Sequence, residues 1–432
     1  MKQVSLSDKS HFQLVSGLWK GKRAPLKPAK VLRATNFGGD GLLDFEDVVE
    51  LDVEERHFAE RQLAQGDIVV ERSGGGPKQP VGRIALFVPP DERPYFSSNF
   101  TTTLRVRDRD IFDPDYVALY LHALYLGGAT ETLQRATTGI RNLDWHEYLR
   151  FEVPVRSLDE QKELVQLIGG VRKAYRVERE LVEVLAELKC AAMTHLFTRG
   201  LRGEAQKETE IGLVPESWDV TSLGAHHTVV SGGTPSRSNP TFWTGGTIPW
   251  VKTTEVDYCV INETGEHITP LALECSAAKM LPVGTLLMAM YGQGVTRGKV
   301  AILGIEATCN QACAAITPKD DAVLPRYLYH FLTWRYDEIR SLAHGGQQQN
   351  LNLEIVRDLP LTYPKSEDEQ REIVAILDTL DRKIDLHRKK RAVLEELFQS
   401  LLHKLMTGEI RVADLDLSAL PVAPAQTPEV TA

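Results

Sequence analysis

Cysteine is scarce in this sequence, and the scarcity excludes several classes of protein. The five cysteines are odd in number and scattered between residues 190 and 313. This pattern does not suit a secreted disulfide framework and is typical of a reducing cytoplasm. Cys309 and Cys313 lie four residues apart, but no second cysteine pair or nearby histidine completes a zinc set. We therefore expect a cytoplasmic protein with no cysteine-bound metal.

Long apolar runs are also absent. No stretch approaches the roughly 18–20 apolar residues that a membrane span needs. Residues 1–13, MKQVSLSDKSHFQ, contain no apolar segment of the kind found in a secretory signal. With 42% hydrophobic and 25% charged residues, the composition is typical of a globular protein. The sequence thus predicts no membrane partner.

The chain has no excess of positive charge. Its 50 lysines and arginines stand against 59 aspartates and glutamates, which gives a formal net charge of −9. A protein with this net negative charge does not bind a polyanion through its overall charge. Any contact with nucleic acid must therefore come from local loops or from basic partner subunits.

A set of catalytic residues is missing as well. Residues 291–303, YGQGVTRGKVAIL, resemble a phosphate-binding loop, but Arg297 stands where the second glycine belongs and Val300 replaces the hydroxyl residue that would bind Mg²⁺. The sequence NPTF at 239–242 lacks the second proline of the loop with which amino-methyltransferases hold their target. None of the 12 histidines falls in a paired metal spacing. We expect no enzyme activity, no cofactor site and no metal site in this chain.

The sequence does contain an internal repeat, in which the two halves of the chain are similar. Residues 66–87, GDIVVERSGGGPKQPVGRIALF, and residues 284–303, GTLLMAMYGQGVTRGKVAIL, each open with glycine and an apolar run. Both then pass through glycines and resume as Gly-[Lys/Arg]-apolar-Ala-apolar. The tripeptide VSG precedes them, at 15–17 and at 230–232. Internal repetition of this kind predicts two domains of similar fold.

The repeat continues to the end of each half. Asn99 aligns with Asn310, and the sequence DEQKELVQLI at 159–168 aligns with DEQREIVAIL at 368–377 at a constant offset of 209. At 432 residues the chain is long enough for two to three domains. Each half is therefore predicted to be a mixed, β-rich domain followed by a long helix.

The two helical segments carry a coiled-coil pattern. Apolar residues recur at spacings of three and four from 164 to 196 and again from 373 to 405. The first helix would span about 57 Å. Two copies of one unit in one chain tend to pack around a pseudo-two-fold axis, which makes the helices antiparallel. This arrangement predicts that Glu178 approaches His387 or Arg391.

Two similar heads held apart by a rod of fixed length would act as a ruler on DNA. Symmetric DNA readers place their two heads so that both face equivalent grooves. Because the loops of the two heads differ in sequence here, each head would read a different half-site. The predicted target is asymmetric and split, with an unread gap between its two parts.

The sequence resembles a known family, the specificity subunits of type I restriction–modification systems. The resemblance covers nearly the whole chain. It rests on GLVPESWDVTSLG, on the hairpin GTLLMAMYGQGVTRGKVAI, on QQNLNLEIVRDLPLTYP, and on the segment DEQREIVAILDTLDRKIDLHRKKRAVLEELFQSLLHKLMTGEI. None of these motifs is specific alone, but their order and duplication are. The start of the chain departs from the pattern, because the first copy has no counterpart of VPESWDVTSLG.

The resemblance implies a function and a set of partners. It implies that the chain binds double-stranded DNA, catalyses nothing itself, and assembles with two DNA methyltransferase subunits. Two restriction/translocase subunits would complete the complex. S-adenosylmethionine, ATP and Mg²⁺ are expected in those partners and not in this chain.

The expected fold class is α+β, with two target-recognition domains and an antiparallel pair of long helices. The boundaries we expect are 1–155 for the first recognition domain and 156–203 for the central helix. Residues 211–364 should form the second recognition domain, and 365–411 the distal helix. Residues 412–432 are rich in proline and alanine and are expected to be disordered.

Candidate DNA-binding residues follow from the chemistry of groove recognition. Arginine and lysine pair with guanine, asparagine and glutamine pair with adenine, and hydroxyl and basic side chains hold phosphates. In the first head the candidates are Lys20, Lys22, Arg23, Arg33, Arg72, Ser73, Lys78, Thr138 and Arg141. In the second head they are Ser231, Thr234, Ser236, Arg237, Lys252, Thr253, Tyr291, Gln293, Thr296, Arg297, Lys299, Gln347, Gln348 and Gln349. The alternative for each loop is a solvated turn.

A rival interpretation is a coiled-coil scaffold whose two heads bind proteins. A protein-binding head more often exposes apolar anchors at its centre. The predicted loops of this chain are instead rich in glycine, glutamine, hydroxyl and basic residues. This composition favours DNA recognition.

Overall fold

The structure is a computed structural model that describes residues 2–75, 79–137, 140–292, 295–343 and 350–415. The chain divides into two compact units. Unit 1 comprises Met1–Arg179 and Arg388–Ala432, and unit 2 comprises Glu180–His387. Each unit therefore contains one β-rich region and a part of each long helix.

Unit 1 begins the series of strands and short helices. Its strands are β1 (Gln3–Ser5), β2 (Phe12–Ser16), β3 (Leu26–Leu32), β4 (Val49–Glu54), β5 (Ile68–Glu71), β6 (Ser73–Gly74), β7 (Ile84–Leu86), β8 (Tyr95–Ser97), β9 (Thr101–Val106), β10 (Gln134–Thr137), β11 (Ile140–Leu143) and β12 (Glu152–Pro154). Its helices are α1 (Arg56–Arg61), α2 (Pro114–Leu126) and α3 (Trp145–Tyr148), followed by the first part of α4 (Leu158–Arg199).

The strands of unit 1 form one antiparallel sheet and several smaller ones. The main sheet has the order β2-β9-β5-β7. A second sheet, β4-β3-β8, pairs β3 with β8 in parallel, and β10-β11-β6 form a third. Helix α2 begins at Pro114, where the carboxylate of Asp113 caps it by accepting from the amide of Asp115 at 2.8 Å. Tyr116 and Val117 of α2 are fully buried in the core of this unit.

Unit 2 repeats the series. Its strands are β13 (Gln206–Thr209), β14 (Gly212–Pro215), β15 (Asp219–Ser222), β16 (His227–Ser231), β17 (Ile248–Val251), β18 (Val260–Ile261), β19 (Glu266–Ile268), β20 (Leu286–Ala289), β21 (Val300–Leu303), β22 (Thr308–Cys309), β23 (Cys313–Pro318) and β24 (Pro360–Tyr363). Its helices are α5 (Leu223–His226), α6 (Pro270–Glu274), α7 (Pro325–Trp334), α8 (Tyr336–Ser341) and α9 (Leu353–Arg357), followed by α10 (Glu367–Thr407), whose last part belongs to unit 1.

The two units share one topology, as the internal repeat predicts. The order β2-β9-β5-β7 of unit 1 recurs in unit 2 as β16-β23-β20-β21, with β18 added at the edge. The parallel pair of β3 and β8 recurs as β17 and β22. The strand before each long helix, β12 or β24, pairs in both units with a strand near the start of the β-rich region. The duplicated sequence therefore folds twice into the same arrangement.

The long helices pack together in antiparallel fashion. In unit 1, Leu164 and Ile168 from the start of α4 share a core with Leu402 and Leu405 from the end of α10. In unit 2, Phe197 from the end of α4 lies in one core with Ile373 and Leu377 from the start of α10. The periodic apolar positions of the sequence thus face the partner helix and the β-rich region, which confirms the predicted helix pair.

A pair of buried glutamines fixes the start of each long helix. The side-chain amide of Gln161 donates to the carbonyls of Ile111 (2.8 Å) and Arg156 (2.9 Å), and its oxygen accepts from the amide of Asp113 at 2.8 Å. Gln370 repeats the set in unit 2, with the carbonyls of Ala322 and Pro364 and the amide of Leu324. The repeated DEQ motif is therefore explained by its glutamine, which joins the helix start to the loop before α2 or α7.

Both helices also end in the same way. Gly200 follows α4 with φ of 62° and Gly408 follows α10 with φ of 81°. This left-handed conformation is easily adopted only by glycine and ends a helix by redirecting the chain. Near the middle of the helices, the carboxylate of Glu178 lies 3.9 Å from Lys390. Beyond α10, residues 412–414 form one short turn of 3₁₀ helix, and the rest of the expected tail, from 416, lies outside the described residues.

The helices in the part of the chain that the structure describes do not reach the requirements of a membrane span. No helix there combines the length and the apolar composition that a bilayer crossing needs. The long helices carry charged residues along their length, because much of each faces solvent.

Candidate nucleic-acid interface

Several loops of unit 2 meet at one edge of its main sheet. Ser231 ends β16 opposite Ala314 of β23, and Ala289 ends β20 opposite Cys313 of β23. Because these strands are antiparallel, the loops after β16 and β20 and the loop before β23 leave the sheet on the same side. This edge therefore collects residues that are far apart in sequence.

Two more segments join the same edge through backbone hydrogen bonds. The amide of Asn310 donates to the carbonyl of Val251 at the end of β17 (3.0 Å), and the amide of Leu351 donates to Met290 (3.1 Å). We call this surface the loop edge of unit 2. It comprises residues 231–237, 252–255, 290–292, 295–299, 310–312 and 350–354.

A cleft of about 530 Å³ opens at the loop edge of unit 2. It is lined by the polar residues Ser231, Tyr291, Gln311, Asn352, Glu354 and Arg357 together with the apolar residues Met290 and Leu353. Tyr291 is 43% exposed and presents its ring to solvent. A polar cleft with an accessible aromatic ring can accept the edge or face of a base.

Two predicted basic residues of unit 2 share one carboxylate. Arg237 donates to Glu266 at 2.5 Å, and the ammonium group of Lys252 lies 3.1 Å from the same carboxylate. The hydrogen bond from Arg237, reinforced by Lys252, lowers the pKa of Glu266. The guanidinium also lies 3.7 Å from the ring centre of Trp243 and 4.8 Å from that of Trp250. Arg237 is thus held in place by several contacts at once.

The hairpin after β20 holds its basic residues close to the protein. Lys299 forms an ion pair with Asp257 at 2.6 Å. Arg297 is only 9% exposed, so most of its guanidinium is not presented to solvent in this conformation. Thr296 is half-buried, and Gln293 lies outside the described residues. Of the hairpin candidates that the structure describes, Tyr291 is the most accessible.

The hydroxyl candidates of unit 2 hold the loops in shape. The hydroxyl group of Thr253 exchanges hydrogen bonds with the side chain of Asn310 at 2.8–3.0 Å. Ser236 bonds Ser238 at 2.9 Å, and Thr234 is exposed. The three glutamines Gln347, Gln348 and Gln349 lie outside the described residues, so their contribution stays a prediction.

Unit 1 forms an equivalent edge. Glu71 ends β5 opposite Thr101 of β9, and the amide of Ser98 donates to Leu32 at the end of β3 (2.9 Å). The carbonyl of Arg72 accepts from Leu143 at 2.8 Å, which brings the three-stranded sheet of β10, β11 and β6 to this place. We call residues 17–18, 33–36, 72–75, 98–100 and 140–142 the loop edge of unit 1.

Four of the predicted residues of unit 1 lie at this edge. Arg33 is paired with Asp47 at 3.0 Å, and the hydroxyl group of Ser73 donates to Asn142 at 2.6 Å. The guanidinium of Arg72 is exposed and lies 5.1 Å from the ring centre of Trp145. Arg141 is half-buried on β11, where it lies opposite Gly74 of β6. Lys78 and Thr138 lie outside the described residues, so their contribution stays a prediction.

The other three candidates of unit 1 lie elsewhere. The amide of Lys22 donates to Glu54, which pairs with Leu26 at the start of β3. Arg33 follows the other end of this seven-residue strand, about 20 Å away. Lys20, Lys22 and Arg23 are exposed but are not brought to the loop edge.

The repeated tripeptide VSG is explained by a close approach of two backbones. A Cβ atom on Gly17 would lie 1.7 Å from the carbonyl oxygen of Ser98, and one on Gly232 would lie 2.2 Å from that of Cys309. Only glycine fits at either position. Each glycine therefore presses against the turn that precedes β9 or β23.

This turn has the same hydrogen bonds in both units. In unit 1 the amide of Thr101 donates to the carbonyl of Ser98 (3.0 Å), and in unit 2 the amide of Cys313 donates to Asn310 (3.1 Å). Ser98 is therefore the structural counterpart of Asn310. The sequence alignment of Asn99 with Asn310 is wrong by one residue. It matched two asparagines by identity, whereas the strand register places Ser98 at the position equivalent to Asn310.

A second pair of hydrogen bonds gives the same register. The amide of Arg72 donates to the carbonyl of Phe100, and the amide of Met290 donates to that of Ala312, both at 2.8 Å. Asn99 is therefore the counterpart of Gln311. Neither residue was among the sequence candidates, although each is an amide in a turn between two strand patterns, which is a signal that the sequence did contain.

Unit 2 also contains a group of side chains with metal-ligand chemistry. His330, Asp378 and Asp381 place their ligand atoms within 4.8 Å of one another. Arg326 donates to Asp378 at 2.7 Å, and Lys189 lies 2.5 Å from Asp381. Two cations thus neutralise the two carboxylates, so the group has the charge balance of an ion-pair network joining α7 to the long helices.

Comparison with known proteins shows that the chain is similar to specificity subunits of type I restriction enzymes. A family model described as "Type I restriction modification DNA specificity domain" matches residues 215–396. The chain is 31% identical over 208 residues to the type I restriction enzyme MjaIX specificity subunit of Methanocaldococcus jannaschii, which covers 47% of each protein. It is 25% identical over 311 residues to the MjaVIII specificity subunit of the same organism, covering 69% of this chain and 71% of that protein. The chain thus spans about half the length of the first relative and more of the second.

The fold has a counterpart among solved structures. The type I restriction–modification S subunit from M. genitalium superimposes with a TM-score of 0.60 over 94% of this chain and 95% of that one, at 16% identity. At this identity the likeness concerns the fold alone. Specificity subunits of these systems are non-catalytic DNA-recognition subunits, which supports the expectation that this chain is not an enzyme. The matched family model, these relatives and the shared fold show that the chain resembles the specificity subunits of type I restriction–modification systems.

Proposed function

We propose that this chain reads a split, asymmetric DNA target with its two β-rich regions. The observation that carries the proposal is the duplicated loop edge, which collects polar and basic side chains at the same place in both units. The recognition regions would be residues 1–155 and 211–364, and the helical segments 156–203 and 365–411. A chain of this kind would work in the cytoplasm, where the host DNA lies.

Differences between the two edges support two different half-sites. Arg33 in unit 1 and Lys252 in unit 2 each precede a short 3₁₀ turn after equivalent strands. Arg72 is replaced by Met290 at the equivalent backbone position. Arginine forms two parallel hydrogen bonds with guanine, whereas lysine offers a single charge and methionine offers neither. Equal backbones with unequal side chains are what an asymmetric target requires.

The long helices supply a surface for partner subunits. Exposed apolar side chains recur at the constant offset of 209 and are between 39% and 63% exposed. In unit 1 they are Val177, Val393 and Leu397, and in unit 2 they are Leu386, Val184 and Leu188. Exposed apolar groups at equal positions favour an interface that is used twice. Two copies of one DNA methyltransferase subunit fit this repetition.

The chemistry of the system would belong to those partners. The methyltransferase subunits would bind S-adenosylmethionine, and restriction/translocase subunits would use ATP and Mg²⁺. The net charge of −9 further suggests that basic partners supply much of the electrostatic attraction to DNA. The isolated chain is therefore expected to bind DNA weakly at physiological salt.

The proposal is tested by co-expressing the chain with a methyltransferase subunit from the same genome and sequencing the methylated adenines of the host DNA. We expect one split motif with a fixed gap that disappears when the gene for this chain is omitted. A continuous motif would contradict the two-head arrangement. Methylation that does not depend on this chain would contradict the DNA-recognition function and favour the protein-scaffold alternative.

A further inference from the structure

The turn that precedes β9 or β23 carries one carboxamide side chain in each unit. Asn99 and Gln311 occupy the position after Ser98 or Asn310, whose carbonyl closes the turn. Asparagine and glutamine differ by one methylene group, and each presents a carboxamide with one oxygen acceptor and two N–H donors. Two recognition regions with different loops have thus kept the same functional group at the same backbone position.

Both carboxamides are available to a ligand. Asn99 and Gln311 are exposed, and neither side chain forms a hydrogen bond among the residues that the structure describes. Basic neighbours at the two edges differ in this respect, because Arg33, Arg237 and Lys299 are each held in an ion pair. Gln311 also lines the cleft at the loop edge of unit 2. The free hydrogen-bonding groups at equivalent sites are therefore amides.

The backbone beneath each amide is held rigidly. Gly17 and Gly232 press against the turn from one side, where no Cβ atom fits. The carbonyl that follows the amide residue, of Phe100 or of Ala312, accepts a backbone hydrogen bond at 2.8 Å from the strand beside it. A short side chain on such a fixed turn loses little freedom when it binds, which is what accurate reading of one base requires.

We propose that Asn99 and Gln311 are equivalent base-reading residues, and that each recognises one adenine in its own half-site. The NH₂ group of a carboxamide donates to N7 of adenine, and the carboxamide oxygen accepts from the N6 amino group. This pair of bonds fits adenine and none of the other three bases in the major groove. The inference rests on the proposed DNA-recognition function and adds the residues and the base.

The test uses the full chain with its methyltransferase subunit and compares methylation motifs. Gln311→Ala should relax the motif at a single adenine of one half-site, lowering discrimination there by about tenfold or more. Asn99→Ala should do the same in the other half-site only. Matched controls are Asn262→Ala and Gln65→Ala, exposed amides beside the opposite ends of β21 and β5, which should leave the motif unchanged.

A second variant changes the preference instead of removing it. Gln311→Glu converts the amide to a carboxylate, which only accepts hydrogen bonds and suits the N4 amino group of cytosine. We expect cytosine to replace adenine as the preferred base at that position. Equal thermal unfolding of the purified parent and variant chains shows that any change is not caused by misfolding.

The outcomes separate the inference from the function on which it rests. A chain-dependent split motif that Gln311→Ala and Asn99→Ala leave unchanged would overturn the reading role and leave the proposed function intact. A motif that loses one adenine per variant, each in a different half-site, supports it. If no motif depends on the parent chain, the proposed function fails and the base-reading assignment fails with it.

Discussion

At the scale of single residues, the loop edge of unit 1 contains a buried ion pair. Glu71 is fully buried at the end of β5 and accepts two parallel hydrogen bonds from Arg83, both at 2.8 Å. Arg83 also donates to the carbonyl of Ala34 at 2.9 Å, behind Arg33. The hydrogen bonds and charge of Glu71 outweigh burial and raise the pKa of Arg83. In unit 2 the counterpart of Glu71 is the apolar Ala289, so this pair belongs to one head only.

We predict that Arg83→Met destabilises unit 1 strongly. The substitution leaves a carboxylate buried without its partner, which typically costs about 3–5 kcal/mol of unfolding free energy. The double variant Glu71→Gln with Arg83→Met should recover part of the loss. The measurement is urea unfolding of the purified chain. Arg93→Ala removes an exposed pair with Asp91 and serves as control, and it should change stability little.

His122 makes the stability of unit 1 depend on pH. Its ring is buried with no hydrogen-bond partner among the described residues, next to Arg172 and Asp40. Burial, assisted by Arg172 and opposed by Asp40, lowers the pKa of His122 to about 4. In the unfolded chain a histidine titrates near 6.5. Between these two values the unfolded state binds a proton that the folded state does not, so stability falls as the pH decreases.

The expected loss from His122 between pH 6.5 and about 4 is on the order of 3 kcal/mol. Urea unfolding at a series of pH values measures the free energy of unfolding. Below pH 6.5 this free energy should fall less steeply with decreasing pH for His122→Leu than for the parent chain. At pH 8 both states hold a neutral imidazole, so there the two proteins differ only in side-chain contacts. An unchanged slope below pH 6.5 would contradict the assignment. Burial also lowers the pKa of His227 to about 4, which adds a similar dependence in unit 2.

At the scale of secondary-structure elements, each long helix is fixed to its β-rich region at the helix start. Gln161 and Gln370 are almost fully buried, and each satisfies one amide and two carbonyl groups of the neighbouring loops. Helix position relative to the head is therefore set by hydrogen bonds as well as by apolar contacts.

We predict that Gln161→Ala and Gln370→Ala each destabilise the chain by about 1–3 kcal/mol, because buried polar groups are left unpaired. The effects should add in the double variant, since the two residues lie in different units. Chemical unfolding followed by circular dichroism measures the losses. Glu163→Ala, at an exposed position of α4 two residues from Gln161, is the control and should change stability little.

At the scale of the whole molecule, the proposal of a partner that binds twice rests on the repeated exposed apolar residues of the helices. Aspartate at Leu188 or at Leu397 should weaken the binding of one methyltransferase copy each, because it places a charge in an apolar contact. The chain itself should remain folded, since both side chains are solvent-exposed. Native mass spectrometry of the co-expressed complex measures the number of copies bound. Glu187→Gln, at an exposed position of the same helix, is the control; an unchanged stoichiometry in both aspartate variants would exclude this surface.

The fold was largely predictable, and the candidate site was predictable only in part. Period and repetition predicted the long helices and two similar β-rich regions, because a seam of apolar residues and a duplicated sequence are local signals. The loop edges depend on strand register, which brought Arg33, Arg72 and Ser73 together and left Lys20, Lys22 and Arg23 elsewhere. Arg297 was a candidate by its residue type in a glycine-rich loop, yet it is buried, which the sequence does not reveal.

The sequence by itself determined that the molecule is a duplicated unit with a coiled-coil seam and without a catalytic set. Those properties follow from which residues occur and at what spacing, and residue order does not depend on the conformation of the chain. Only the tertiary structure decided which side chains meet. The register of β9 and β23 moved the alignment by one residue and paired Asn99 with Gln311, because backbone hydrogen bonds, and not similar letters, fix which residues occupy equivalent positions.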